Sequence, residues 1–236
     1  MRTIKSKFKS QKSKVKMEKK MQKRQAIVML GLPASGKGTQ AEIMAKKIGA
    51  RIIGIGDLVR SAMTAESLDV ELLAEIKSDY DKGIPQKDKI VENLIESEIA
   101  KSSGNIIFDN YPFSSDQINF FETMITKYDF SAPKIVYIKI DPELAITRIS
   151  SRRICDKCKK IYLSGKIGDN CNVKNCGGHL IQRLDDTAGI MKERISHAQP
   201  RIDLVLNHYK NSGQVCEING EQTIEKVAED IGKIFY

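Results

Sequence analysis

Gly31-Leu32-Pro33-Ala34-Ser35-Gly36-Lys37-Gly38-Thr39 is the stretch whose reading decides the fold. Directly before it runs Ala26-Ile27-Val28-Met29-Leu30, an uninterrupted apolar pentad. Directly after it, Ala41, Met44, Ala45 and Ile48 are apolar at helical spacing. The stretch fits G-x-x-x-x-G-K-[ST] and lies between a buried strand and an amphipathic helix, the context a phosphate-binding loop requires. The glycines let successive backbone N–H groups turn inward around a phosphate chain. The helix N-terminus adds the positive end of its dipole. Lys37 reaches the terminal phosphates, and the Thr39 hydroxyl is placed to ligate Mg²⁺.

The 236 residues suit one α/β domain with insertions or two small domains. No apolar run is long enough to span a membrane. The net charge of +9 is unevenly placed: residues 1–24 carry +10, which leaves −1 for the remainder. The basicity therefore belongs to an appendage and not to the folded body. Its apolar content is too thin for a packed face, so residues 1–24 read as a disordered solvated tail. An anionic surface, nucleic acid, a targeting receptor or a protein contact are the functional alternatives for it, and nucleic acid enters only through this tail.

Beyond the first helix, Arg51 to Ile55 reads as a strand, and Asp57 is a good N-cap for the helix that follows. Residues 69–79 keep helical spacing, 82–85 break the chain, and Asp88 to Ala100 is amphipathic. Asn105 to Asp109 reads as a buried strand ending in a carboxylate. Such an end is where α/β sheets bind ligands, and beside a phosphate loop Asp109 is expected to hold Mg²⁺ directly or through water. Taken alone, Asp109 equally suits a loop cap. Lys134 to Ile140 is a fourth strand, and Asp141-Pro142 opens a helix as cap and first-turn proline. Asp185 to Tyr209 is helical, Gln214 to Ile218 is a last strand, and Thr223 to Ile234 is a closing helix. This alternation predicts an open parallel sheet with helices on both faces.

Four of the five cysteines fall within residues 155–176, a clustering that favours a metal over disulfides. Cys155-x2-Cys158 suits two thiolates on one Zn²⁺. Cys171 and Cys176 complete the set, with Cys176-x2-His179 as a competing choice for its second half. The metal would fold a flap that has little core of its own.

Taken in order, these motifs resemble the adenylate kinase family across residues 26–236, most closely its long form with a zinc-bearing lid. The resemblance implies a P-loop α/β fold with a five-stranded parallel sheet. The core would comprise 25–54, 85–150 and 188–236, with a monophosphate-binding insertion at 55–84 and a lid at 151–187. It implies that Gly31, Ser35, Gly36, Lys37, Gly38, Thr39, Arg148 and Arg152 bind ATP. It assigns Asp57, Arg60, Gln117, Arg183 and Arg194 to the acceptor monophosphate, with Gln117 reading the adenine of AMP. Lys37, Arg152, Arg183, Arg194 and Asp109 would form the catalytic set, with ATP accompanied by Mg²⁺ and a structural Zn²⁺ in the lid. The implied reaction is ATP + AMP ⇌ 2 ADP in a monomer; the lack of an export signal together with a reduced-thiol metal site points to the cytoplasm. Four positions depart from the family pattern. Phe113 stands where the family has an arginine on the acceptor phosphate, Asn110 and Ala34 replace glycines, and Ile55 replaces a residue that is commonly threonine. Ala34 is expected to be tolerated only if its φ is negative. Three departures lie at the acceptor site, so another acceptor (CMP, UMP or a deoxynucleotide) and a low-turnover nucleotide-binding protein are the alternatives.

Overall fold

The computed structural model describes residues 23–64, 70–81, 86–182 and 188–235. Arg183, most of the basic tail and the break at 82–85 lie outside the described residues. The chain runs β1 (Ala26–Gly31), α1 (Lys37–Ile48), β2 (Arg51–Gly54), α2 (Ile55–Met63), α3 (Val70–Asp81), α4 (Asp88–Ala100) and β3 (Ile106–Asp109). It continues with α5 (Ser115–Lys127), β4 (Lys134–Lys139), α6 (Pro142–Ser151), β5 (Arg153–Cys155), β6 (Ile161–Tyr162) and β7 (Leu180–Ile181). The last elements are α7 (Ala188–Tyr209), β8 (Val215–Asn219) and α8 (Ile224–Phe235).

Five strands form a parallel sheet in the order β2-β3-β1-β4-β8. Central strand β1 is buried along its whole length, which is why its sequence is apolar without alternation. Its successive side chains still serve opposite faces, as the pleat requires. Ala26, Val28 and Leu30 pack with α4, α5 and α7 through Val91, Ile95, Phe121, Ile202 and Val205. Ile27 and Met29 pack with α1 and α8 through Met44, Val227 and Ile231. Covering both faces fixes the sheet, and the ends of β1, β2, β3 and β4 open together where the chain order reverses on either side of β1.

Two smaller units flank this edge. Helices α2, α3 and α4 share a separate cluster of Val59, Ala62, Ile76 and Ile90. Residues 153–181 form a three-stranded antiparallel sheet ordered β6-β5-β7. Its buried apolar groups are few, chiefly Ile154 and Leu180, while Ile161, Leu163 and Ile167 are exposed.

Several local readings are corrected. Helix α2 begins at Ile55 with Gly54 as its N-cap, so Asp57 lies in the first turn rather than at the cap, and the second strand ends one residue early. Ala34 has φ +63°, a left-handed conformation, and not the negative value its side chain would favour. Arg24, read as the end of the tail, joins the body. It pairs in parallel with Phe130, and its guanidinium lies 4.2 Å over that ring. Asp141 does cap α6, accepting from the N–H of Glu143 at 2.8 Å with Pro142 in the first turn.

Candidate active site

The loop 31–39 leaves β1 through a contact only glycine allows. A Cβ at Gly31 would lie 2.7 Å from the Ile138 carbonyl oxygen and 2.5 Å from Ser35 Oγ. Ser35 N–H closes a turn on Leu32 O at 3.1 Å, and Gly36, left-handed at φ 92°, starts α1. The helix therefore begins at Lys37 with its free N–H groups at the loop's mouth. Gln40, buried one turn on, anchors this helix by donating from Nε2 to Ile224 O at 2.9 Å.

Lys37, at the start of α1, has its Nζ 3.5 Å from Leu32 O, and Asp109 ends β3 next to β1. Burial lowers the Lys37 ammonium below its ordinary range; the Asp109 carboxylate opposes this, and Arg194 and Arg152 add to it. Burial likewise raises the Asp109 carboxyl, with Lys37 opposing and Asp57 reinforcing. Charges that act on one another in this way lie near one another, so α7 through Arg194, the end of α6 through Arg152 and the loop through Lys37 bring their cations together. The buried Ser35 Oγ, Asp109 Oδ1 and Asn110 Oδ1 have no hydrogen-bond partner among the described residues. The Ser35 hydroxyl can donate to a phosphate, whereas the Asp109 and Asn110 oxygens only accept and fit water or a metal's hydration shell. Asp109 therefore suits Mg²⁺, and Thr39, in the first turn of α1, is the second residue the motif offers for it.

Two cavities open on either side of this cluster. The larger, about 360 Å³, lies at the ends of β2 and β3 and is lined by Asp57, Arg60, Gln86, Asp109, Phe113, Gln117 and Arg201, among others. Gln117 is held at both ends of its amide. Its Oε1 accepts from Phe113 N–H at 2.8 Å, and its Nε2 donates to Asp88 Oδ1 at 2.6 Å. Asp88 also accepts from Ser114 Oγ at 2.8 Å, and Ser114 caps α5 by accepting from Gln117 N–H. Asn110 turns the chain at φ 56°, so a glycine or asparagine is the fitting residue there. Arg60 forms an ion pair with Asp57 one turn earlier.

The smaller cavity, about 150 Å³, is lined by Ala34, Thr39, Arg148, Leu163, Gln222 and Thr223, among others. Arg148 spans it, donating to Gly220 O at 2.9 Å and lying 3.5 Å from Ala34 O. Gly220 is required here because a Cβ would lie 2.5 Å from Ile138 Cγ2 and 3.1 Å from Lys139 O. Leu163, from the small antiparallel unit, closes one side.

In that unit the Sγ atoms of Cys155, Cys158, Cys171 and Cys176 lie within 4.8 Å of one another. Cys155 and Cys176 are 3.5 Å apart, and Cys158 and Cys171 are 3.6 Å apart. Backbone N–H groups of Cys158 and Val173 point at the Cys155 and Cys171 sulfurs, as negatively charged thiolates require. Four converging soft ligands fit tetrahedral Zn²⁺. His179, the competing ligand, stands apart from them with Nδ1 3.3 Å from Gly168 O.

The sequence reading missed Gln86, Asp88, Arg201, Leu163 and the 222–224 wall. None lies in a recognisable motif, and each reaches the site only through the fold. A helix-starting acid at Asp88 is the one local signal.

A protein-family model described as adenylate kinase matches residues 29–214. The adenylate kinase of Lactococcus lactis subsp. lactis (strain IL1403) is 35% identical over 217 residues, covering 88% of this chain and 98% of the relative. That of Rickettsia bellii (strain RML369-C) is 34% identical, covering 88% and 97%. That of Streptococcus thermophilus (strain CNRZ 1066) is 31% identical, covering 88% and 96%.

Proposed function

The chain belongs to the adenylate kinase family, and from that premise we propose how its own residues carry the reaction. The activity is that of a nucleoside monophosphate kinase, converting ATP and AMP to two ADP. The observation that carries the residue assignment is the pair of cavities, the smaller lined by Ala34, Ser35, Gly36 and Thr39 of the loop and the larger by Asp109 and Asn110 at the end of β3. The smaller takes the donor's adenosine, stacked against Arg148, and threads its phosphates over Gly31, Ser35, Gly36, Gly38 and Thr39. The larger takes the acceptor, its base read by the Gln117 amide and its phosphate directed toward Arg60.

A phosphate oxygen of AMP attacks the γ-phosphorus of ATP as the bond to the β,γ-bridging oxygen breaks. That oxygen is already anionic near neutral pH, so no general base is needed. Catalysis is positioning and charge stabilisation. Lys37, Arg152, Arg183 and Arg194 surround the phosphoryl in flight. Mg²⁺, which Thr39 and Asp109 would hold, supplies charge neutralisation on the ATP phosphates when bound. The insertion at 55–84 and the lid at 151–187 close over the reactants and keep water from taking the phosphoryl. The four lid thiolates hold Zn²⁺ for shape and take no part in chemistry. On this reading the protein works as a cytoplasmic monomer, a compartment in which the thiols stay reduced.

The test is ATP-dependent phosphorylation of AMP, CMP, UMP, GMP and dAMP side by side with Mg²⁺. AMP is expected to have the highest kcat/KM. Preference for another monophosphate would move specificity to Phe113, Asn110 and Ile55 and would overturn the assignment of Gln117.

A further inference from the structure

We infer that Arg201 supplies the free cationic contact to the acceptor's phosphate in this chain. The inference rests on the reading of the larger cavity as the acceptor site. Four charged side chains line that cavity: Asp57, Arg60, Asp109 and Arg201. Asp57 and Arg60 neutralise one another in an ion pair. Asp109 faces Lys37, whose ammonium it influences directly. Arg201 has no ion pair or hydrogen bond among the described residues, and its guanidinium is exposed at the cavity wall. A monoester phosphate carries close to two negative charges at neutral pH. The group best placed to meet it is a guanidinium that need not break a prior pairing.

Phe113 strengthens the case. It lines the same cavity but offers an apolar ring, and its backbone N–H is already given to Gln117 Oε1 at 2.8 Å. Phe113 is a departure from the family pattern noted in the sequence, and on this inference the charge it lacks comes from another element. The element is α7. Arg201 follows Arg194 by seven residues, which is two turns and nearly the same helix face. Arg194 lies within electrostatic reach of Lys37 at the phosphate loop. One face of one helix thus presents a guanidinium to the transferred phosphoryl and another to the acceptor.

The test compares R201M and R201K with the wild type by steady-state kinetics for both substrates and by titration with AMP and adenosine. R201M is expected to raise KM for AMP about tenfold or more, the loss typical of a charged hydrogen bond. KM for ATP and the affinity for adenosine should stay within about twofold. R201K, which keeps the charge but loses the planar fork, should give a smaller rise in KM for AMP. It keeps the test decisive if R201M does not fold. An unchanged KM for AMP in the folded variant would overturn the inference. So would equal weakening of AMP and adenosine, which would put Arg201 on the base or sugar. A parallel rise in both KM values would also overturn it, by making Arg201 merely structural. A wild type that does not phosphorylate AMP would fail the acceptor reading itself, before any variant is compared.

Discussion

Ala34 shows what a residue-level departure from a motif costs. Its φ of +63° places an L side chain in left-handed backbone, where Cβ crowding costs about 1–2 kcal/mol. The conformation is kept because the loop needs it. Ser35 N–H must reach Leu32 O, and Ala34 O faces the Arg148 guanidinium. A34G should relieve the crowding, with part of the gain lost to the freer unfolded chain, for a net of about 0.5–1 kcal/mol. Thermal unfolding should then shift upward by about 1–4 °C, with KM for ATP within about twofold; a lower melting temperature would contradict the strain. Sequence could identify the loop because its nine residues are contiguous and its glycines mark the turn. It could not fix the φ of Ala34, because an alanine carries no local signal for left-handed backbone; the turn that Ser35 closes on Leu32 holds it there. Arg60 and Gln117 were legible for the same reason as the loop, each sitting inside a local pattern. Asp88, which orients the Gln117 amide, and Arg201 were not, since nothing in their own neighbours sets them apart from surface charges.

At the scale of elements, the helices follow from their periodicity and the core strands from their unbroken apolar runs, while the unit at 153–181 follows from neither. Strands β5, β6 and β7 are two or three residues long, too short to leave an alternation pattern. What specifies this unit is the cysteine spacing, and the four sulfurs converge on one point. With so little buried apolar surface, this unit is expected to draw much of its folding free energy from a metal on the four cysteines. Full removal of zinc by a chelator should therefore lower the melting temperature or split off an early transition. It should also raise KM for ATP, because Leu163 of this unit and Arg148 of α6 line one cavity. Re-addition of Zn²⁺ should reverse both effects. Melting and KM that are unchanged after complete zinc loss would show that the lid folds without metal.

For the whole molecule, the division of charge predicts a division of labour. Residues 1–22 carry +8 and the remainder about +1, and both cavities are lined by residues between Ala34 and Val227. Removing residues 1–22 should therefore leave kcat and both KM values within about twofold and the melting temperature unchanged. Retention on a polyanionic matrix should fall steeply with the lost lysines. Removing two more residues should behave differently. The Arg24 carbonyl accepts from Ser131 N–H at 2.8 Å and Ser131 Oγ at 3.2 Å. Its Nε donates to Gly104 O at 2.9 Å, and its guanidinium covers Phe130. Losing these contacts should cost about 1–3 kcal/mol. That corresponds to a fall in melting temperature of about 2–10 °C, with activity at low temperature preserved. Composition alone cannot see this boundary, since Arg24 is one more basic residue in a basic run; its contacts with Gly104, Phe130 and Ser131, far along the chain, make it part of the body. If the two truncations melt alike, Arg24 belongs to the tail after all. If the shorter truncation lowers kcat, the tail reaches the site and the division of labour is wrong.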